Sequence, residues 1–243
     1  MEGQFVASHA RGDRRFRISL PTPPPRLKSS ASVGPAVDDL ILEQREVGPM
    51  ANFCYLLGDP ATKKAAVVDP SFDARPVQRF AEAHGLAVEA ILVTHHHPDH
   101  IADVARLADE TAAKVFAHRL SNVRKDVDLE DGDFVQLGET RIKAVHTPGH
   151  SPDSTCYIAR SRIWTGDTLF IGECGRVDLP GGSAAQMWES FFTKLIHLPD
   201  ELVVFPGHNY GPKPSDTFGN QKRTNYTLQP RTKEEFVAFM GAP

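Results

Sequence analysis

The sequence predicts an α/β fold in which two β-sheets pack face to face and helices cover their outer surfaces. Each half of the chain runs through short apolar segments, typical of buried strands, and then through a segment with helical periodicity. The 243 residues, 40% of them hydrophobic and 24% charged, can bury one large core or two small ones, and no second domain is evident. Histidine- and aspartate-bearing motifs each follow a predicted strand, which is where open α/β folds place their sites.

The first half of this fold is predicted to contain five strands and two helices. The apolar segments that read as strands are 40–47, 52–58, 64–68, 91–94 and 114–117. Asp59–Pro60 marks a turn between the second and third of them. Helical patterns cover 75–84, which ends at Gly85 as helices commonly do, and 102–110.

The second half repeats the order of strands followed by a helix. Its predicted strands are 134–137, 141–146, 155–159, 162–165 and 202–205. The third and fourth of these read as a hairpin. Helices are predicted over 184–195 and 234–240.

Charge and cysteine content favour a cytoplasmic protein. The net charge of −4 argues against a nucleic-acid partner, and no apolar run is long enough to span a bilayer. The three cysteines, Cys54, Cys156 and Cys174, provide no disulfide framework, so a reducing compartment fits best. We therefore expect neither a nucleic-acid nor a membrane partner, and the composition leaves a homo-oligomer open.

Residues 1–36 differ in composition from the rest of the chain. They include the proline-rich run Pro21–Pro25 and carry six basic against two acidic side chains. Such a segment can bury little apolar surface, so we predict a disordered extension that precedes a single domain over residues 37–243. An arginine-rich, acid-poor segment also suits an organelle-targeting peptide, an interpretation that we rank below an extension without function.

The stretch that carries the chemistry follows the predicted strand 91–94. Four side chains of metal-ligand type lie close together there: His95, His97, Asp99 and His100. Imidazole and carboxylate without thiolate favour zinc, iron or manganese over a structural cysteine site. The spacing suits two adjacent ions better than one closed tetrahedron, and His96 should point away from them. Because Pro98 would disrupt a helix interior, we expect this cluster on a loop.

Three further motifs follow in order: Thr147–His150, Thr165–Asp167 and Pro206–His208. With the histidine-rich loop, they resemble the signature of the metallo-β-lactamase superfamily, over roughly residue 39 to the C-terminus. The resemblance implies a four-layer αββα sandwich, which agrees with the fold predicted above. No serine lies in a nucleophile elbow and no glycine-rich phosphate loop is present, so metal chemistry is the favoured interpretation.

The resemblance also implies a centre of seven metal ligands. One metal would take His95, His97 and His150, the other would take Asp99, His100 and His208, and Asp167 would bridge them. We expect two divalent ions, zinc first, with iron or manganese as alternatives. Metal-bound water is a hydroxide nucleophile near neutral pH, and the catalytic carboxylates would be those of Asp99 and Asp167.

Two stretches resemble glyoxalase II, the hydroxyacylglutathione thioesterase. The segment Gly166–Arg176 is similar to a segment of that family, in which a lysine at the position of Arg176 contacts a glutathione carboxylate. Tyr210 matches a tyrosine that also touches glutathione. The resemblance therefore implies substrate contacts by Arg176 and Tyr210, although Arg176 could equally form a surface ion pair with Asp178. Glu173 departs from the family pattern, which has glycine at this position.

Persulfide dioxygenases share part of the same pattern. Gly175–Asp178 is similar to their motif, and Lys222–Asn225 is similar to a segment of both groups, in which proline stands at the position of Tyr226. Pro98 and Asp153–Ser154 depart from the dioxygenases, whereas the 35 residues after His208 are too few for the long C-terminal region of many glyoxalases II. We predict a metal-dependent hydrolase that cleaves acyl-glutathione or a similar small thioester, with a mononuclear-iron persulfide dioxygenase as the alternative.

Overall fold

A computed structural model describes residues 40–241 of the chain. The predicted extension over residues 1–36 and the first residues of the predicted domain lie outside the described residues. Residues 40–241 form two six-stranded sheets, and six α-helices lie along the chain between and after the strands. None of the helices within residues 40–241 combines the length and apolar character needed to cross a membrane.

The first sheet contains the strands of the first half in sequence order, β1 to β6. The strands are β1 (Ile41–Val47), β2 (Asn52–Gly58), β3 (Lys64–Val68), β4 (Ala87–Leu92), β5 (Lys114–His118) and β6 (Val127–Leu129). The pairs from β1 to β3 are antiparallel, and those from β3 to β6 are parallel. The parallel strands β3, β4 and β5 therefore end at the same edge of the sheet, where the predicted histidine-rich loop follows β4.

The second sheet has the order β12-β11-β10-β9-β8-β7. Its strands are β7 (Phe134–Leu137), β8 (Thr140–His146), β9 (Thr155–Ala159), β10 (Arg162–Gly166), β11 (Val203–Pro206) and β12 (Asp216–Thr217). All pairs are antiparallel except β10 with β11. Because β8, β10 and β11 run in one direction, the three motifs that follow them emerge at one edge.

The helices are α1 (Arg75–Ala83), α2 (Pro98–Ile101), α3 (Val104–Thr111), α4 (Ala184–Glu189), α5 (Phe218–Thr224) and α6 (Lys233–Met240). A π-helical turn (Ser190–Lys194) and a 3₁₀ turn (Leu195–His197) prolong α4, and a second 3₁₀ turn (Tyr226–Leu228) follows α5. A capping box at Thr232 begins α6, because Thr232 and Glu235 satisfy each other's backbone N–H groups.

Three apolar clusters confirm the four-layer αββα sandwich. The central cluster lies between the sheets and includes Tyr55 and Trp164. One outer cluster packs α1 and α3 on the first sheet, and the other packs α4 and α6 on the second. In β2 the side chains alternate as strand geometry requires, with Tyr55 in the central cluster and Cys54 and Leu56 in an outer one.

The sequence-based prediction differs from the structure mainly in short elements. The loop expected around Pro98 is the one-turn helix α2, in which Pro98 occupies the first turn, where its missing N–H group costs nothing. Strand β4 ends at Leu92, two residues earlier than predicted. The elements β6, β12 and α5 were not predicted. Strands β6 and β12 have only three and two residues, which is too short to show an alternating apolar pattern, and α5 is too polar to show a helical one.

Candidate metal centre

The four predicted motifs meet at one edge of the sandwich. The segment after β4 carries His95 to His100, and the segments after β8, β10 and β11 carry His150, Asp167 and His208 respectively. A bridge between Asn52 at the start of β2 and His208 joins the two sheets at this point. Each of these residues follows a strand, and they lie close together because the two sheets face each other.

Three histidine nitrogens converge in a first donor set. His97 Nδ1 lies 3.0 Å from His95 Nε2 and 2.8 Å from His150 Nε2. The ring of His97 is close to perpendicular to the rings of His95 and His150, with interplanar angles of 83° and 88°. Nitrogen atoms that point at a common centre in this way are the arrangement that a tetrahedral metal such as zinc requires.

A second donor set lies beside the first. His100 Nε2 is 3.1 Å from His208 Nε2, and Asp99 Oδ2 is 3.4 Å from each of these nitrogens. Both histidines are almost fully buried, whereas the side chain of Asp99 is 16% exposed. This set therefore combines two nitrogen donors with a carboxylate that reaches solvent.

Asp167 lies between the two sets. Its Oδ2 atom is 3.5 Å from His150 Nε2 and 3.3 Å from His208 Nε2, and its Oδ1 atom is 3.2 Å from His100 Nε2. Oδ1 is buried and accepts no hydrogen bond. A cation next to Asp167 would compensate this orphaned oxygen, so the carboxylate fits a bridging ligand.

The backbone at Gly166 allows this position of Asp167. Gly166 has a φ of +47°, and a Cβ atom there would lie 2.4 Å from Oγ1 of Thr94. A side chain is excluded by both the left-handed conformation and the contact with the neighbouring sheet. The glycine of the predicted motif thus lets the chain turn sharply from β10 into the centre.

Hydrogen bonds on the outer nitrogens orient three of the rings. His150 Nδ1 donates to the carbonyl of Arg176 at 2.8 Å, and His208 Nδ1 donates to the carbonyl of Met50 at 2.9 Å. His100 Nδ1 donates to Asp69 Oδ2 at 2.9 Å. Because a carbonyl oxygen can only accept, the proton of His150 and that of His208 lie on Nδ1 and their Nε2 lone pairs face the centre, which is how metal-binding histidines are held.

The protonation states also suit a metal centre. Burial and the neighbouring imidazoles lower the pKa of His97 to about 4 and that of His95 well below its usual value. Burial raises the pKa of Asp167, but the adjacent His100 lowers it well below its usual range. Burial lowers the pKa of His100, whereas Asp167 raises it above its usual value, so a bound cation would replace that proton.

The structure therefore brings all seven predicted ligands together in two donor sets joined by Asp167, and these residues fit two metal ions. Their role as ligands stays a prediction that metal analysis tests. The geometry also groups Asp69 with His95 and His100. Asp69 already accepts hydrogen bonds from the backbone N–H and the hydroxyl of Thr94 and from His100, so we interpret it as a support for the rings.

Two supporting residues were missed in the sequence. Asp69 directly follows β3, which pairs with the strand that precedes the histidine-rich loop. Asn52 begins β2 and donates from Nδ2 to Asp99 Oδ2 at 2.8 Å. An aspartate at the end of an apolar strand was the available signal for Asp69. No sequence signal marked Asn52, because 47 residues separate it from Asp99, the side chain that it supports.

Replacing Asp69 with asparagine should weaken metal binding at the second donor set about tenfold. The near-isosteric change removes the charged acceptor that orients His100. Competition of the loaded protein with a chelator measures the change, and Asp73→Ala, which removes a partly exposed aspartate paired with Arg75, serves as the control. Equal chelator resistance in wild type and Asp69→Asn would remove Asp69 from the support of the centre.

His96 points away from the centre, as expected. Its Nδ1 atom lies 2.6 Å from Asp153 Oδ1, which also accepts from Ser151 Oγ at 2.7 Å. Asp153 is 1% exposed. The contact ties the loop that follows β4 to the loop that carries His150, so His96 contributes to the frame of the centre.

A cavity of about 890 Å³ opens from the centre towards the C-terminal helix. Asp99 and Asp167 line its inner end, and Tyr226, Phe239 and Met240 line the part formed by the C-terminal segment. Most of the wall between these ends is apolar. The cavity can therefore exclude water from the flank of a substrate that reaches the centre.

The two predicted substrate contacts both line this cavity. Tyr210 stacks on His208 with ring centroids 4.5 Å apart, and 53% of its surface is exposed. Arg176 makes the ion pair with Asp178 that the sequence left open: Nε and Nη2 donate to the two carboxylate oxygens, each at 2.6 Å. Both partners are more than 60% exposed, with values of 64% and 63%, so solvent screens the pair and a substrate carboxylate can compete for Arg176.

A family model, named relatives and solved structures all indicate the same family for this chain. The model of the Metallo-beta-lactamase superfamily matches residues 47–208. The chain is 40% identical over 164 residues to a hydroxyacylglutathione hydrolase of Bradyrhizobium sp. (strain BTAi1), which covers 65% of the chain and 63% of that relative. It is 31% identical over 209 residues to the human mitochondrial persulfide dioxygenase ETHE1, which covers 83% of the chain and 81% of that relative.

Among solved structures, ETHE1 from Myxococcus xanthus superposes with a TM-score of 0.79 at 31% identity, over 84% of this chain and 92% of that one. The chain spans less than two thirds of the length of several curated relatives, between 52% and 63%.

Proposed function

The chain belongs to the metallo-β-lactamase superfamily and is a metal-dependent enzyme, and we propose that it hydrolyses acyl-glutathione or a similar small thioester, as glyoxalase II does. The observation that carries the proposal is the pair of complete donor sets joined by Asp167. A mononuclear reaction would leave the second set without a role. Anaerobic release of thiol from S-lactoylglutathione by the zinc-loaded protein tests it.

Two divalent ions would be held by the seven side chains described above, zinc first and iron or manganese as alternatives. Such ions lower the pKa of bound water towards neutrality and polarise the carbonyl under attack. Among residues 40–241, no cysteine belongs to the groups of side chains that could hold a metal, so the donor sets contain no thiolate. Nitrogen and oxygen donors are compatible with each of these metals.

The protein's own residues hold the reacting groups and exclude water. Asp99 combines a carboxylate at the inner end of the cavity with partial solvent access, so it can accept a proton from water at Oδ1 while Asn52 holds Oδ2. Phe170 packs edge-to-face against Tyr210 with ring centroids 5.4 Å apart. These rings form an apolar wall beside the centre, against which the thioester can lie.

Persulfide oxidation is the second candidate function, and a specific observation favours it. The chain matches 92% of the length of the Myxococcus xanthus structure but only 63% of the Bradyrhizobium hydrolase. Such a reaction would use a redox-active iron, for which histidine and carboxylate ligands are equally suitable.

Arg176→Ala should raise KM for a thioester with a remote carboxylate more than it lowers kcat. An exposed charge that holds this carboxylate in ground and transition states alike contributes only uniform binding. Steady-state kinetics with S-lactoylglutathione give both parameters, and Asp178→Ala, which frees Arg176, should lower KM. A loss of thermal stability with unchanged kinetics would assign Arg176 to the ion pair alone.

A further inference from the structure

Glu173 places a carboxylate on the cavity wall. It lies in the loop that follows Asp167 and lines the same cavity as the metal-ligand side chains, and its side chain is exposed at the opening. The loop is held from behind by Asn225, whose Nδ2 donates to the carbonyls of Phe170 and Glu173 at 3.2 Å and 3.0 Å. The buried side-chain amide of Asn225 thus holds the loop backbone at Glu173 in place.

The charge of Glu173 is not compensated by a cation. Among residues 40–241 it makes no ion pair, and the nearest arginine along the loop, Arg176, is engaged by Asp178. Arg231, in the C-terminal segment, is engaged elsewhere: its guanidinium packs over the ring of Phe239 at 4.3 Å and donates to the carbonyls of Tyr226 and Gln229. A negative charge therefore faces the cavity without a partner of opposite sign.

An aromatic pair from the C-terminal segment lines the same cavity as this carboxylate. The hydroxyl of Tyr226 donates to Glu173 Oε1, which leaves Oε2 without a partner among the described residues. The rings of Tyr226 and Phe239 meet edge-to-face with centroids 5.7 Å apart, and both line the cavity. A carboxylate on a cavity wall that has no cationic partner and is held by a tyrosine hydroxyl can attract an ammonium group through charge and charge-assisted hydrogen bonds.

We propose that Glu173, held by the hydroxyl of Tyr226, binds a primary ammonium group on the thiol-carrier part of the substrate. The inference rests on the proposed function, because it places the thioester at the metal centre and the carrier along the cavity. Glu173 and Arg176 lie three residues apart on one loop with opposite charges. A carrier that bears both an amino group and a carboxylate can therefore use both residues, and an N-acylated carrier cannot use Glu173.

Calorimetric binding of two unreactive ligands to the zinc-loaded full chain tests the proposal. S-methylglutathione has the free amino group, and its N-acetyl derivative lacks the charge. We expect the wild type to bind the free amine roughly fivefold more tightly than the acetylated form, through the exposed charge of Glu173. Glu173→Gln should reduce this ratio to about one by weakening only the free amine, and Tyr226→Phe should reduce it partially.

The control is Glu201→Gln, which removes the charge of another exposed glutamate outside the cavity and should keep the fivefold ratio. A ratio near one in the wild type, a ratio that survives Glu173→Gln, or a lack of binding by both ligands would each overturn the ammonium site. Unfolding temperatures of all variants separate a local effect from a loss of structure.

Hydrolysis of S-lactoylglutathione by the same samples separates this inference from the proposed function. An ammonium preference that depends on Glu173, without hydrolysis, would keep the binding site and remove the thioesterase. Hydrolysis without the preference would keep the thioesterase and remove the binding site. Binding of the methylated ligands needs no turnover, so the two results are independent.

Discussion

Replacing Asp167 with alanine should deplete metal from both donor sets and lower turnover about a hundredfold or more, since even partners behind the ligands are worth 10- to 100-fold. The reason is its position, because its two oxygens lie 3.2 to 3.5 Å from histidine nitrogens of both sets. The substitution also removes the negative charge that the imidazoles of His100, His150 and His208 face. One substitution should therefore disturb both metals.

Elemental analysis of protein loaded with excess metal and then desalted measures this effect. The wild type should retain about two metals per chain, and Asp167→Ala should retain less than half of that amount. Asp109→Ala, which changes an exposed aspartate on α3, should behave as the wild type. Full occupancy and full activity in Asp167→Ala would remove Asp167 from the centre.

Zinc-loaded protein should release free thiol from S-lactoylglutathione in the absence of oxygen, and iron-loaded protein should take up little oxygen with glutathione persulfide. Hydrolysis requires a metal that activates water and polarises a carbonyl, a task that zinc performs without redox chemistry. Oxidation of sulfur requires an iron that can exchange electrons with oxygen, which zinc cannot do. Metal identity therefore separates the two candidate reactions on one protein.

The comparison uses one preparation of apoprotein divided between zinc and iron. A thiol reagent follows hydrolysis, and an oxygen electrode follows oxidation. The Asp167→Ala protein serves as the control in both assays, since either activity needs the centre. Strong oxygen uptake by the iron form, with no thiol release by either form, would replace the hydrolase with the persulfide dioxygenase.

Much of the fold could be predicted from the sequence because its strands are apolar and bounded by turn residues. Strands β2, β3, β7 and β9 have the predicted limits, and α1 ends one residue before the predicted end. The family was also predictable, since four motifs in the expected order follow predicted strands. The seven candidate ligands could be named for the same reason, and the structure brings them together.

Other features depended on contacts that sequence spacing does not contain. Asn52 supports Asp99 across 47 residues, and Asp69 supports His100 across 31. Two of the departures from the family patterns, Glu173 and Tyr226, touch each other across 53 residues. No periodicity or motif connects such pairs, because each forms only when separate segments fold against one another.

By itself, the sequence determined the four-layer architecture, the superfamily and the set of candidate ligands, because apolar period and local motif spacing are properties of neighbouring residues. The tertiary structure alone decided that Asp167 lies between two donor sets, that Arg176 pairs with Asp178, and that an unpaired carboxylate faces the cavity. These are distances and charge balances between side chains, and they arise only when the two sheets and the C-terminal segment close around the centre.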